Sequence, residues 1–195
     1  MLQQMIGAIQ NTWGVVVANG LLNDLSAYYW FNNNVNDETG THNWTATNLS
    51  YSTGVKKLDT HSWDFNWISS EVDLNADINL FEANTSFFTW VYFNSIGSWK
   101  FPHICWRYDS WTNRVWYLRA NQNNESRLLN TYNTSNGWYY TINRRSIDTL
   151  SNNTRYHVWY TFDWATMKLY QDGVLLDSTT SLTGSIKNNA EEIKL

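Results

Sequence analysis

Period-two alternation of apolar and polar side chains is the dominant pattern along this chain. Residues 87–93 (FFTWVYF) are apolar on both faces of an alternating segment, which predicts a central strand covered on both sides. Residues 104–108 alternate in the same way, and residues 115–120 follow after a polar turn, so the two segments predict a hairpin. Residues 138–142 form a further short strand-like segment.

The clearest pattern covers residues 156–178, which predict three strands joined by two tight turns. The first turn falls at residues 163–166 and the second at residues 171–173. The second contains Asp172-Gly173, and Asp-Gly between alternating apolar segments is a strong signal for a β-hairpin. Short strands separated by turn residues at regular intervals are typical of a β-sandwich or a barrel.

Length and composition favour one folded domain with a distinct leader. The chain has 195 residues, of which 43% are hydrophobic, including 13 Trp and 12 Tyr. This is enough to bury a core within a single domain at residues 21–195. Residues 1–20 are apolar in places and predict a docking or assembly segment. They lack the basic start of a secretory signal, and no apolar run is long enough to span a bilayer.

Charge and cysteine content exclude several classes of function. The net charge is −4 and only 15% of residues are charged, with no basic run to meet a phosphate backbone, so we expect no nucleic-acid partner. Cys105 is the only cysteine, which excludes an intrachain disulfide and a cysteine-based zinc site. Its alternating apolar neighbours predict a packed thiol. His157 is predicted to be a buried, hydrogen-bonded histidine.

Four short motifs stand in a fixed order along the chain. They are an aromatic strand at 28–31 with a loop at 36–40, then Gly54, Leu58 and Trp63-Asp64-Phe65, then a strand at 86–91 with Trp90, and last the hairpin at 156–173. Their order resembles the concanavalin A-like lectin/laminin-G superfamily, in particular its bacterial and phage laminin-G-like jelly-roll branch. The resemblance covers roughly residues 25–195. It implies an all-β, two-sheet antiparallel jelly-roll sandwich, whereas fold alone does not define function.

The end of the chain departs from this family pattern. Relatives finish with a further strand, and this chain stops at Ile193-Lys194-Leu195, before that strand would begin. We therefore expect an open sheet edge, filled by residues 13–18 (WGVVVA) or by a neighbouring subunit. The expected partners are copies of the chain, or other virion or surface proteins, bound through residues 1–20 and this edge.

A carboxylate pair raises the alternative of a β-glucanase-like glycoside hydrolase. Laminarinase-type glucanases that share the sandwich carry E-x-D-x-E on one strand, and this chain has Glu71-Val72-Asp73-Leu74-Asn75. Asn75 cannot donate and recover a proton as a carboxylic acid does. We therefore predict that the chain is not an enzyme, and that Glu71 and Asp73 lie on an exposed strand edge.

The resemblance also implies a calcium site. Many relatives bind Ca²⁺ through hard oxygen ligands, which points to Asp37 and Asp64, with loop oxygens near Asn36 and Thr39. The alternative is that both aspartates only close turns through side-chain to backbone hydrogen bonds. No cofactor is otherwise required.

Tryptophans supply the candidate ligand-binding surface. An indole face stacks on the C–H face of a sugar, and exposed Trp residues favour a partner. The candidates for sugar stacking lie near loops and hairpin ends: Trp99, Trp106, Trp111, Trp138 and Trp164. Trp residues within strands are predicted to fill the core: Trp30, Trp63, Trp90 and Trp159.

The sequence thus favours a non-enzymatic structural or adhesive protein of a virion or cell surface, of the phage tail-fibre or capsid-decoration type. The alternative is a carbohydrate-binding module of a larger secreted protein. We expect a virion or extracellular location, a surface glycan as a candidate ligand, and no membrane span.

Overall fold

The computed structural model describes residues 29, 33–37, 43–55, 61–66, 68–74, 84–95, 103–108, 114–121, 127–133, 139–143, 150–163, 165–180 and 193–195. Every regular element in these ranges is a β-strand. The strands are β1 Trp44–Thr47, β2 Ser50–Ser52, β3 Ser62–Asp64, β4 Glu71–Leu74, β5 Asn84–Phe93, β6 His103–Tyr108, β7 Arg114–Asn121, β8 Arg127–Asn133, β9 Tyr139–Asn143, β10 Thr154–Asp163, β11 Met167–Gln171, β12 Val174–Thr179 and β13 Ile193–Lys194. The described ranges contain no apolar helix of membrane-spanning length.

Two antiparallel sheets form the body of the fold. The larger has seven strands in the order β1-β4-β13-β6-β7-β8-β9, and the smaller has four in the order β12-β11-β10-β5. A separate two-stranded ladder joins β2 to β3. These sheets confirm the predicted all-β antiparallel sandwich.

The core lies between the two sheets because alternate side chains of each sheet point inward. In β10, Val158 and Tyr160 are fully buried, while the residues that alternate with them, His157, Trp159 and Thr161, are partly exposed. On the larger sheet Val72 and Leu118 are fully buried as well. These inward side chains belong to one hydrophobic cluster, as expected for a sandwich whose strands present a single face to the core.

The predicted hairpins are confirmed. β6 pairs with β7, and β10, β11 and β12 form consecutive antiparallel neighbours. At the second turn Asp172 and Gly173 have φ values of 49° and 89°, the left-handed conformation that a tight hairpin turn needs. The Asp172 carboxylate also accepts a hydrogen bond of 2.7 Å from the main-chain N of His157, which holds the turn against β10.

The predicted strand at residues 87–93 is confirmed as β5, but the prediction that both of its faces are covered is wrong. β5 stands at the end of the described four-stranded sheet, and its outward Phe88 is 41% exposed. Apolar residues on both faces of this segment indicated that both faces are covered. The set that contains Phe88, Trp90 and Tyr92 lies instead on the outer surface of the sandwich.

The prediction that the chain stops before its closing strand is also wrong. Ile193–Lys194 form β13 themselves, between β4 and β6 in the larger sheet. Leu195 continues this pairing, since its main-chain N and O bond to Val72 at 3.0 and 3.2 Å, and its side chain is only 2% exposed. Residues 13–18, the predicted filler, lie outside the described residues.

Candidate functional site

The outer face of the larger sheet carries charged side chains where its inner face carries the core. Val72 and Leu195 point inward and are buried. Their neighbours Glu71, Asp73 and Lys194 point outward, with side chains 35%, 18% and 30% exposed. β4 therefore presents both carboxylates on one face of a strand that has neighbours on both sides, so the predicted strand-edge position of this pair is wrong.

One ammonium group links the two carboxylates. Lys194 Nζ lies 3.3 Å from Glu71 Oε1 and 3.3 Å from Asp73 Oδ1. Partial burial alone would lower the pKa of Lys194, but the adjacent Asp73 and Glu71 carboxylates outweigh this and raise its pKa above the usual value. The three side chains form a fixed group of hydrogen-bond donors and acceptors at the surface.

Trp106 lies next to this group. β6 pairs with β13 so that Trp106 is the direct neighbour of Lys194 in the ladder. The partly buried indole also packs against the His103 ring, with ring centroids 5.4 Å apart. We call this surface the Trp106 face, and define it by five residues of β4, β13 and β6: Glu71, Asp73, Lys194, His103 and Trp106.

The Trp106 face combines the two kinds of group that a saccharide site uses. An indole offers apolar surface to the C–H groups of a sugar ring, while carboxylates and an ammonium bond to its hydroxyls. Glycoside hydrolysis instead needs one carboxylic acid and one carboxylate on opposite sides of the scissile bond. Here Glu71 and Asp73 both face the same ammonium.

Trp106 is the one predicted sugar-stacking residue within the described ranges. Trp99, Trp111, Trp138 and Trp164 lie outside them, so their role stays a prediction. Sequence reasoning missed Lys194 as the partner of Glu71 and Asp73, because a separation of 123 residues leaves no local signal for the Glu71 contact.

The two predicted calcium ligands stand in different surroundings. Asp37 is 4% exposed, and its main-chain N donates a 3.1 Å hydrogen bond to Asn43 Oδ1. Asp37 also forms an isolated antiparallel β-bridge with Tyr29. Burial and the Asp37 charge both raise the pKa of the Tyr29 hydroxyl. Asp64, in β3, is partly buried, and burial raises the pKa of its carboxyl.

These surroundings do not by themselves complete a calcium site. Calcium takes six to eight oxygen ligands, several of them ionised carboxylates. In the described part of the chain no three His, Cys, Asp or Glu side chains are grouped closely enough to hold a metal ion. Calcium binding stays a prediction, and Thr39 lies outside the described residues.

Three residues that the sequence predicts to be buried, Trp63, Trp159 and Cys105, differ in their exposure. Trp63 is fully buried, and its indole N donates a 2.9 Å hydrogen bond to the main-chain O of Asn34, which confirms its predicted core role. The prediction for Trp159 is wrong, because it alternates with the inward Val158 and Tyr160 and lies on the outer face. Cys105 is 1% exposed, as predicted for a packed thiol.

Trp90 and His157 share this outer position. Trp90 contacts the edge of the core but lies opposite His157 in the ladder, on the face away from Val91 and Val158. The His157 ring is only partly buried, so the prediction of a buried histidine is wrong, although its main chain bonds to Asp172. We call this surface of the smaller sheet the aromatic face, and define it by six outward side chains: Phe88, Trp90, His157, Trp159, Tyr170 and Leu175.

Comparison with known proteins identifies the fold. No family model matches the chain, and no curated protein does. Among solved structures, domain 4 of AbnA, a GH43 extracellular arabinanase from Geobacillus stearothermophilus solved in complex with arabinotriose, is 18% identical with a TM-score of 0.67. That match covers 88% of this chain and 82% of the domain.

Two toxin domains give similar matches. The binding domain of Paraclostridial Mosquitocidal Protein 1 is 17% identical with a TM-score of 0.62, over 80% of this chain and 40% of that one. The binding domain of botulinum neurotoxin serotype G is 12% identical with a TM-score of 0.51, over 81% and 42%. The chain thus spans about two fifths of each toxin domain. At these identities the chain shares with all three proteins a β-sandwich fold.

Proposed function

We propose that the chain is a non-catalytic carbohydrate-binding domain that acts at an extracellular or virion surface, and that a saccharide binds on the Trp106 face. One observation carries this proposal. Trp106 stands directly beside Lys194, and Lys194 contacts both Glu71 and Asp73. An apolar ring and a fixed set of polar groups therefore share one outward surface.

The ion pairs prepare this surface for a ligand. Holding long side chains in one geometry before binding reduces the conformational entropy lost on binding. Lys194 is held by two carboxylates, and Trp106 is held by the His103 ring. A sugar that stacks on Trp106 meets donors and acceptors already in position.

The comparisons support binding rather than catalysis. The arabinanase domain was solved with arabinotriose, and the two toxin segments are binding domains. The motifs resembling the bacterial and phage laminin-G-like branch support a tail-fibre or capsid-decoration role within the same proposal. A β-glucanase remains the alternative with the least support, because Glu71 and Asp73 pair with Lys194 and Asn75 takes the place of the third carboxylate.

The test is saccharide binding by the intact chain and by three variants. A glycan array, followed by calorimetry with arabinotriose and β-glucan oligosaccharides, should show saturable binding. We expect Trp106→Ala to weaken it at least tenfold and Trp106→Phe to weaken it less. Ile68→Ala serves as the control, because Ile68 is 93% exposed and lies outside this face.

The same preparations, with Glu71→Gln as a fourth variant, distinguish the alternatives. Circular dichroism and thermal melting establish that each variant is folded. Release of reducing ends from a β-glucan that disappears in Glu71→Gln would favour the hydrolase. A wild-type chain that binds no glycan, or equal binding by wild type and a folded Trp106→Ala variant, would overturn the proposal.

A further inference from the structure

A row of apolar side chains crosses the aromatic face from one side of the smaller sheet to the other. Trp159 stands opposite Phe88 on β5 and opposite Tyr170 on β11, and Tyr170 stands opposite Leu175 on β12. Phe88 is 41% and Leu175 is 47% exposed. The row therefore has two aromatic rings at its centre and two well-exposed apolar residues at its ends.

The central rings are fixed by stacking on one another. Trp159 and Tyr170 stack with centroids 4.7 Å apart and planes 15° apart. The centroid of the His157 ring lies 4.6 Å from that of Trp90 on one side and 4.8 Å from that of Trp159 on the other. Rings already held in place lose little side-chain entropy when a partner covers them, and rigid Trp and Tyr residues are frequent anchors of protein interfaces.

Polar side chains border the aromatic face on both sides. On one side they form a parallel row across the four strands: Ser86, Thr161, Lys168 and Ser178. On the other side the pair Trp90 and His157 comes next, and beyond it Arg155 stands opposite Tyr92. An apolar centre with a polar rim, rich in Trp and Tyr, is the composition of a protein-binding surface rather than of an ordinary solvent-exposed sheet.

The row is complementary to itself. A two-fold axis along the strands, between β10 and β11, exchanges the two halves of the sheet. It places Phe88 of one copy over Leu175 of the second copy, and Trp159 over Tyr170. Lys168 of one copy then faces Thr161 of the second copy rather than another lysine. Such a pairing buries both exposed ends of the row without opposing like charges.

We propose that the aromatic face is the contact surface between two copies of this chain. Four strands of these lengths cover roughly 500 Å² per copy, or roughly 1,000 Å² in the pair. This is at the lower limit for a specific interface, so the dimer forms and dissociates with concentration. The proposal is independent of the Trp106 face, which lies on the other sheet.

The first test is the mass of the intact chain in solution, by sedimentation or light scattering over a hundredfold concentration range. We expect a monomer that becomes a dimer as concentration rises. Phe88→Asp and Leu175→Asp should each raise the dissociation constant at least tenfold. Ile68→Asp should leave it unchanged, because Ile68 is the most exposed of the described large hydrophobic residues but lies outside the face.

The second test uses the geometry of the proposed pair. Facing sheets lie about 10 Å apart. A bismaleimide of that length should therefore join Phe88→Cys to Leu175→Cys when the two single variants are mixed. Either variant alone should cross-link poorly. In the proposed pair the two copies of residue 88 lie at opposite ends of the interface, and so do the two copies of residue 175. Cys105 does not compete, since it is 1% exposed.

Several results would overturn the dimer. They are a monomer at every concentration, a dimer that Phe88→Asp and Leu175→Asp leave intact, and equal cross-linking of mixed and single variants. Loss of saccharide binding in a folded Phe88→Asp variant that is monomeric like wild type would assign the face to a sugar instead.

Discussion

Lys194 Nζ lies 3.3 Å from Asp73 Oδ1, and this contact joins β13 to β4 on the outer surface of the larger sheet. The same ammonium contacts Glu71. All three side chains are partly exposed, so water and salt weaken the pairing.

We expect Lys194→Met to lower the free energy of unfolding by about 0.5–1 kcal/mol, because the two carboxylates lose their shared partner. Asp73→Asn should weaken the same contact. A double-mutant cycle of the two changes, measured by urea denaturation, should give a coupling energy of about 0.5 kcal/mol that falls in high salt. Purely additive effects would contradict the contact.

A second prediction concerns the turn between β11 and β12. Gly173 has φ of 89°, and an added Cβ would meet no atom within 4 Å, so any penalty comes from the backbone alone. Gly173→Ala should lower the unfolding free energy by about 1 kcal/mol. Gly54→Ala is the matched control, since its Cβ would make only an ordinary 3.6 Å contact with Ser52 Oγ. Equal effects of the two changes would contradict the turn geometry.

A third prediction concerns pH. Partial burial lowers the pKa of His157 below its usual 6.5, and the nearby Asp172 carboxylate opposes this only in part. Below pH 6.5 the unfolded chain binds the proton more readily, so the stabilising contribution of the neutral ring is present above that pH and is lost as the pH falls through the lower folded pKa. Urea denaturation at several pH values should show unfolding free energy decreasing on acidification. His157→Gln should flatten this dependence; an unchanged slope would contradict the assignment.

A fourth prediction uses the single thiol. Burial raises the pKa of Cys105, and the side chain is 1% exposed, so both access and ionisation oppose its reaction. A disulfide reagent such as Ellman's should label Cys105 in the folded chain only as fast as the protein opens to expose it. The labelling rate should rise through the denaturation transition. Cys105→Ser should show no labelling. Rapid stoichiometric labelling of the folded chain would contradict its packed position.

The sequence predicted those parts of the fold that local chemistry determines. Asp172-Gly173 located a hairpin because its backbone conformation suits few other residue pairs. The alternation from Tyr156 to Phe162 likewise located β10. It did not reveal which side is covered, since His157 and Trp159 are as aromatic as the inward Tyr156 and Tyr160.

Contacts between distant segments could not be predicted in the same way. β13 has only two residues, too few to show an alternation. The roles of Glu71, Asp73 and Trp106 depend on Lys194, which no local pattern connects to them. Trp106 was selected from the sequence as a binding residue, but its charged neighbours became known only from the pairing of β13 with β6.

The position of β13 also bears on how the molecule folds. β6, β7, β8 and β9 pair with neighbours close in sequence and can form early. Among the described strands, β13 is the one that joins β1 and β4 to them. The contact between Lys194 and Glu71 spans 123 residues. Loops of that length close slowly because the chain loses entropy before any contact compensates for it. We therefore expect the two halves of the larger sheet to form separately, with their union through β13 as a late step in folding.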